Sequence, residues 1–312
     1  MIDERIRIGR SDLEVRALGV GTWAWGDRLV WGFGRGYGEP EVEAAFIASR
    51  AAGLDFFDTA EIYGWGRSER ILGRLARRSP GTILASKFFP YPWRLTRGEL
   101  RRAVRGSLRR LGVSRIDLYQ IHWPSSVTPD RLWLEAMADA VEDGMLRAVG
   151  VSNFDAAQME RAYATLERRG IRLASNQVEF SLIARGPERS GLLQRCRELG
   201  VTPIAYSPLG MGLLTGKYGP DRPPPLARRA RLRDVLRRVP AIVQALHEIG
   251  REAGGRTPAQ VALNWTICKG TLPIPGAKTP RQAEENAGAL GWRLTPEQIA
   301  RLDEVSDASF DR

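Results

Sequence analysis

Leu54-Asp55-Phe56-Phe57-Asp58-Thr59-Ala60-Glu61-Ile62-Tyr63-Gly64 is the stretch on which the fold turns. Residues 54–58 form a short apolar run that stops on a carboxylate, and a helical pattern follows. Outward from it the same unit recurs, with further strand candidates at 16–19, 82–86, 116–122, 148–152, 173–177, 202–206 and 270–273. All are short and apolar, as parallel strands covered on both sides must be. Between them the helices announce their starts. Thr96-x-x-Glu99, Thr257-Pro258-x-Gln260, Thr279-Pro280-x-Gln282 and Thr295-Pro296-x-Gln298 have the form of capping boxes, and Asp155-x-x-Gln158 is a variant of it. Gly53, Gly112, Gly144, Gly170 and Gly200 stand where helices should end. Eight β-then-α units with no dividing linker predict an α/β fold: a single (β/α)8 TIM barrel over residues 1–312. It has a short N-terminal segment and a long loop after strand seven, 219–240, carrying Pro223-Pro224-Pro225 and an arginine-rich run.

Composition agrees and narrows the function. The chain is 43% hydrophobic and 27% charged, the balance of a globular protein. It has no apolar run of the roughly 18 residues a membrane span requires. Met1-Ile2-Asp3-Glu4-Arg5 lacks the basic-then-apolar pattern of a signal peptide. Cys196 and Cys268 are the only cysteines and there are two histidines, so no disulfide framework or multi-histidine metal centre is expected, and a reducing cytoplasmic setting suits the chain. The net charge of +11 raises the question of nucleic acid. The arginines, however, are scattered in pairs such as Arg77-Arg78, Arg101-Arg102, Arg109-Arg110 and Arg168-Arg169 beside apolar positions, which is how solvated helix faces are built. Neither a nucleic-acid nor a membrane partner is expected, and oligomeric state is left open.

In a TIM barrel, chemistry sits at the C-terminal ends of strands. Asp58 ends the second run, Tyr63 follows five residues later, Lys87 follows the third and His122 ends the fourth. Singly, a strand-end Asp often caps a helix and a Lys is usually on the surface; four ionisable groups at matching positions are harder to explain that way. Their chemistry fits carbonyl reduction. Hydride arriving at a carbonyl carbon leaves charge on oxygen, which needs a proton donor and fixed dipoles. Tyr63 would donate the proton, Lys87 would stabilise the tyrosinate, Asp58 would hold Lys87 and His122 would orient the carbonyl.

These residues carry a resemblance. The tetrad Asp58, Tyr63, Lys87 and His122 resembles that of the aldo-keto reductases. So do Asp58-Thr59-Ala60-Glu61-Ile62-Tyr63-Gly64 with Ser68-Glu69, Gly150-Val151-Ser152-Asn153-Phe154, Tyr206-Ser207-Pro208-Leu209-Gly210 with Leu214-Thr215-Gly216-Lys217, and Ile274-Pro275-Gly276-Ala277-Lys278 with Glu285-Asn286. The resemblance implies an NADP-dependent oxidoreductase that uses NADPH to reduce aldehydes or ketones to alcohols. It implies that Gly21, Thr22, Trp23 and Asp58 belong to the cofactor side of the site, and that Ser152, Asn153 and Gln177 hold the nicotinamide carboxamide. Tyr206 would stack on the ring, and Ser207, Leu209, Gly212 and Lys217 would line the pyrophosphate. Ile274, Gly276, Lys278, Gln282, Glu285 and Asn286 would surround the adenosine end. Many relatives have a Lys-Ser pair after Ile-Pro; here Gly276 and Ala277 stand there, so Lys278 must carry the grip on the 2′-phosphate.

Within the family the chain is most similar to plant-type pyridoxal reductases, on Gly21-Thr22-Trp23-Ala24-Trp25-Gly26, Tyr91-Pro92-Trp93-Arg94-Leu95-Thr96, Ile267-Cys268-Lys269-Gly270 and Gly288-Ala289-Leu290-Gly291-Trp292. Trp23 and Trp123, with Tyr63 and His122, are expected to wall the substrate pocket. Three apparent motifs are set aside. Gly32-Phe-Gly34-Arg-Gly36-Tyr-Gly38 lacks the strand and spacing of a dinucleotide fingerprint and reads as a mobile loop. The 210–217 segment lacks the first glycine of a P-loop. His247 lies on a helix surface. Two other functions fit the same fold: a cofactor-holding redox sensor of the ion-channel-subunit type, against which the intact tetrad and the absence of an N-terminal extension count, and a non-redox barrel enzyme acting on a phosphorylated substrate.

Overall fold

The computed structural model describes residues 4–218, 222–225 and 234–310; most of the loop expected after strand seven lies outside the described residues. An antiparallel hairpin, β1 (Arg5–Arg7) with β2 (Glu14–Arg16), precedes the barrel. Eight parallel strands then follow in chain order: β3 (Val20–Gly21), β4 (Phe56–Asp58), β5 (Ile83–Phe88), β6 (Ile116–Ile121), β7 (Leu146–Ser152), β8 (Leu173–Glu179), β9 (Thr202–Tyr206) and β10 (Leu272–Pro273). The Gly19 and Gly21 amides donate to Pro273 O and Pro275 O at 2.9 and 3.1 Å, joining the first strand to the last.

The first strand is displaced from the expected 16–19. Asp55 explains why: its carboxylate takes the Arg16 amide at 3.1 Å and the Arg5 guanidinium at 2.9 Å, which ties 14–16 into the hairpin. The barrel strand starts once the chain has turned past Ala17. The hairpin then plugs the barrel floor. Its Ile8, Leu13 and Val15 pack with Phe56, Ala85, Leu118, Ala148, Ala174, Ile204 and Leu272, the inward side chains of the strands.

Strand periodicity sets what faces the centre. Along β6, Leu118 belongs to the apolar interior, while Tyr119 and Ile121 pack outward with the helices. Gln120 and then His122 therefore share the inward face above Leu118. The helices close as their sequences require. Gly53, Gly112, Gly144, Gly170 and Gly200 all take positive φ, 67–82°, where a side chain would be strained. Thr96/Glu99, Asp155/Gln158 and Thr257/Gln260 form reciprocal caps. At Thr279 only half of the box forms, because Gln282 Oε1 takes the Lys278 amide at 2.8 Å instead. The 32–38 loop is not the loose segment its glycines suggested. Phe33 is buried, Tyr37 packs edge-on against it, and the Tyr37 hydroxyl donates to Ala24 O at 2.7 Å.

Candidate active site

Hydroxyl groups join the turns after β3 and β4 before any ionisable group is placed. Ser68 Oγ donates to Thr22 O at 2.9 Å and meets the hydroxyls of Thr22 and Thr59, each at 2.8 Å. Thr22 also donates from both its amide and its hydroxyl to Asp58 O. The neighbouring Glu69 is fully buried and receives Ser86 Oγ at 2.6 Å and Arg110 Nε at 2.5 Å. That pairing is what a buried carboxylate requires. The Ser68-Glu69 dipeptide thus clamps the turn that carries Tyr63.

Asp58 closes β4, while Lys87 lies inside β5, which runs one residue further; it does not follow the strand as expected. Lys87 is 0% and Asp58 1% exposed, and the two form a short ion pair through Asp58 Oδ2. Lys87 Nζ also donates to Thr59 O at 2.9 Å and reaches the Tyr63 hydroxyl at 3.5 Å. His122 packs edge-on to Tyr63, with ring centroids 5.7 Å apart. All four side chains expected to form the tetrad therefore meet at one end of the barrel.

Their electrostatics differ in one respect from the simple relay. Burial, and then the negative charge of Asp58, push the Tyr63 phenol well above its ordinary range, with the Lys87 ammonium 3.5 Å from its hydroxyl. Burial pulls Lys87 down while Asp58 holds it up. His122 is pushed well below its ordinary value by burial and then by Lys87, so its imidazole is neutral at physiological pH. Tyr63 is thus a donor that stays protonated until a strongly basic oxygen forms beside it.

Aromatic rings wall this centre. Trp23 stacks on Tyr63 at 6.1 Å, Trp31 meets Trp23 edge-on at 5.6 Å, and Phe89 packs against His122 at 5.6 Å. Trp123, the other expected wall, is 45% exposed on the loop after β6. Trp31 and Phe89 were not expected at the site, since an aromatic in a loop carries no periodic signal.

The remaining expected residues gather on the ends of β7 to β10. Ser152 Oγ donates to Gln177 O at 2.8 Å, Asn153 Nδ2 to His122 O at 2.9 Å, and the Tyr206 hydroxyl to Asn153 Oδ1 at 3.0 Å. After β9 the chain turns sharply. Ser207, Gly210, Met211 and Gly212 all have positive φ, and the short 3₁₀ turn Gly210–Thr215 leads to Lys217. Beyond β10, Gly21 passes so close to Ile274 that an added Cβ would lie 2.8 Å from its carbonyl oxygen. Asn286 Nδ2 donates to Gly276 O at 3.4 Å, and Thr279 opens the helix Pro280–Ala287. Glu285 lies on that helix, half-buried. Lys278 is placed differently from expectation: its ammonium lies over the rings of Tyr37 (4.7 Å) and Trp31 (5.4 Å). Gln282, expected to face adenosine, is engaged by the Lys278 amide.

A dinucleotide fits this donor set. The start of the helix Pro280–Ala287 with Lys278 beside it suits phosphate, Tyr206 stands at the end of β9, and His122 Nδ1 is buried with no hydrogen-bond partner among the described residues. The described residues hold no helix long and apolar enough to cross a membrane.

Comparison with known proteins agrees with this geometry. The chain is 40% identical to the chloroplastic pyridoxal reductase of Arabidopsis thaliana over 98% of its own length and 87% of that protein's. It is 38% identical to an uncharacterized oxidoreductase of Mycobacterium bovis, over 95% and 90%. Among solved structures it resembles the glycerol dehydrogenase of Gluconobacter oxydans, with a TM-score of 0.88, 28% identity and 100% and 98% coverage. It also resembles an aldo/keto reductase of Klebsiella pneumoniae in complex with NADP and acetate, with a TM-score of 0.77, 30% identity and 98% and 96% coverage. The aldo/keto reductase family pattern matches residues 17–307. Aldo-keto reductases use NADP(H). This chain belongs to the aldo/keto reductase family and is an oxidoreductase.

Proposed function

We propose that this enzyme reduces aldehydes with NADPH, and that pyridoxal is among its substrates. The observation that carries the reading is the buried Asp58–Lys87 pair reaching Tyr63, with His122 packed edge-on against the phenol. The nicotinamide, when bound, supplies the hydride. The chain does the rest. Tyr63 gives its proton to the carbonyl oxygen as charge develops there, and Lys87 faces the tyrosinate that results. Asp58 keeps Lys87 charged and aimed. Neutral His122 offers a hydrogen bond to the same oxygen without competing for the proton, which orients the carbonyl. Trp23, Trp31 and Phe89 exclude water from the exchange.

Ser152, Asn153, Gln177 and Tyr206 seat the nicotinamide, 207–217 the pyrophosphate, and Lys278 with Thr279, Gln282, Glu285 and Asn286 the adenosine end. The 40% identity to a pyridoxal reductase supports the substrate. So do the aromatic walls, since a flat ring stacks between them with little loss of freedom. The test is NADPH oxidation with a panel of aldehydes, using Tyr63→Phe as control. The substitution should cost on the order of 10²-fold in kcat, the worth of a positioned acid, with cofactor affinity unchanged. Turnover within threefold or so of wild type, against that 10²-fold, would remove Tyr63 from the role. No oxidation of NADPH with any aldehyde would remove the function.

A further inference from the structure

Beneath the tetrad lies a layer of polar side chains that the proton relay does not use. In the parallel register Lys87 pairs with Gln120, Gln120 with Gly150, and Gly150 with Ser175, so four adjacent strands bring these residues to one level. Gln120 and Ser175 are fully buried and Gln177 is 2% exposed. Gly150 makes room for them: an added Cβ would lie 2.2 Å from Ser175 Oγ and 3.2 Å from Gln120 Cγ. The glycine is needed for space, because the side chains on either side close over it.

The hydrogen bonds form a triangle. Asp58 Oδ1 accepts from Gln177 Nε2 at 2.9 Å and from Gln120 Nε2 at 3.3 Å. Gln120 Oε1 accepts from Gln177 Nε2 at 3.4 Å and from Ser175 Oγ at 3.4 Å. A carboxylate paired with an ammonium only accepts, so both amides must turn their nitrogens to Asp58. With its nitrogen there, Gln120 presents its oxygen to Gln177. The two hydrogens of the Gln177 amide then go to two different acceptors. One such bond lets an amide swing; two fix its plane.

We infer that Gln120 is a positioning residue: with Asp58 it takes both hydrogens of Gln177 and so leaves the Gln177 oxygen as the end that faces the nicotinamide. The inference rests on the NADPH-dependent reading above and deepens it. A fixed oxygen accepts from the carboxamide NH₂ and holds the ring at the angle hydride transfer needs. Gln120 touches neither cofactor nor substrate; it acts through Gln177. The same triangle ties the seat of the ring to Asp58, and so to Lys87 and the proton donor.

The experiment compares binding of NADPH with that of its reduced 3-acetylpyridine analogue, in which a methyl ketone replaces the carboxamide and no NH₂ is present. Kd is read from quenching of tryptophan fluorescence, without turnover. Wild type should prefer NADPH by about tenfold, the worth of one hydrogen bond whose loss leaves an acceptor unpaired. In Gln120→Met, similar in length but without the amide, the preference should fall to about twofold or less, with kcat lowered and aldehyde KM unchanged. Gln120→Asn, too short to reach, should behave the same and serves if the methionine variant does not fold. A tenfold preference surviving in folded Gln120→Met or Gln120→Asn overturns the inference. Failure of wild type to bind either dinucleotide overturns the cofactor reading itself, and is recognised before any variant is made.

Discussion

Replacing Lys87 by methionine keeps the volume of the side chain and removes its charge. Asp58, 1% exposed, then faces the barrel interior without its ammonium. Breaking a buried pair from one side typically costs about 3–5 kcal/mol, because the remaining charge is left uncompensated. Here the carboxylate keeps two amide donors, Gln177 at 2.9 Å and Gln120 at 3.3 Å, so the low end of that range applies. Thr59 O also loses its donor, which adds to the cost. The expected loss is about 3 kcal/mol, read by urea unfolding followed through tryptophan fluorescence and circular dichroism together. Adding Asp58→Asn removes the stranded charge, and the double variant should regain at least half of the loss. Both variants should lack reductase activity. A single variant within about 0.5 kcal/mol of wild type, the size of an ordinary surface change, would refute the view that Lys87 and Asp58 stabilise each other in the interior.

The other expectations follow from single features of the site. Because the Tyr63 phenol is raised and a donor works only while protonated, kcat should show no basic limb from that phenol below about pH 10 in a stopped-flow pH series, so a limb there would report Lys87, which burial lowers. Because His122 is lowered, any acid limb from its protonation should lie below the usual imidazole range, and one at or above about 6.5 would contradict its burial. Lys278→Ala should weaken NADPH by about 1.5–3 kcal/mol, the range for a charged hydrogen bond, and leave NADH nearly unaffected. Equal losses would mean that the lysine stays on the Tyr37 and Trp31 rings when cofactor binds. Pyridoxal and other aromatic aldehydes should show higher kcat/KM than aliphatic aldehydes of similar size, and Trp123→Ala should narrow the gap by raising KM for the aromatic ones.

Much of this protein was legible in the chain itself because the signals are local. Short apolar runs, threonine-capped helix starts and closing glycines depend on residues within a few positions of one another, and they were enough to predict the barrel. That Asp58, Tyr63, Lys87 and His122 would meet was legible too, since a barrel brings polar strand ends to a common mouth whatever the details. What the tertiary structure decided concerns partners distant in sequence. The first strand began later than expected because Asp55, some 40 residues on, claimed Arg16 for the hairpin. The 32–38 loop was read as mobile from its glycines, whereas Phe33 and Tyr37 anchor it. Gly150 looked like a motif residue, and only the neighbouring strands show that Ser175 and Gln120 occupy the space its Cβ would need. Gln120 gave no signal at all, since a glutamine in an apolar strand is unremarkable until Asp58 and Gln177 are placed beside it. Sequence encodes which groups can bond; strand register decides which of them meet, and in a barrel that register is set by all eight strands at once.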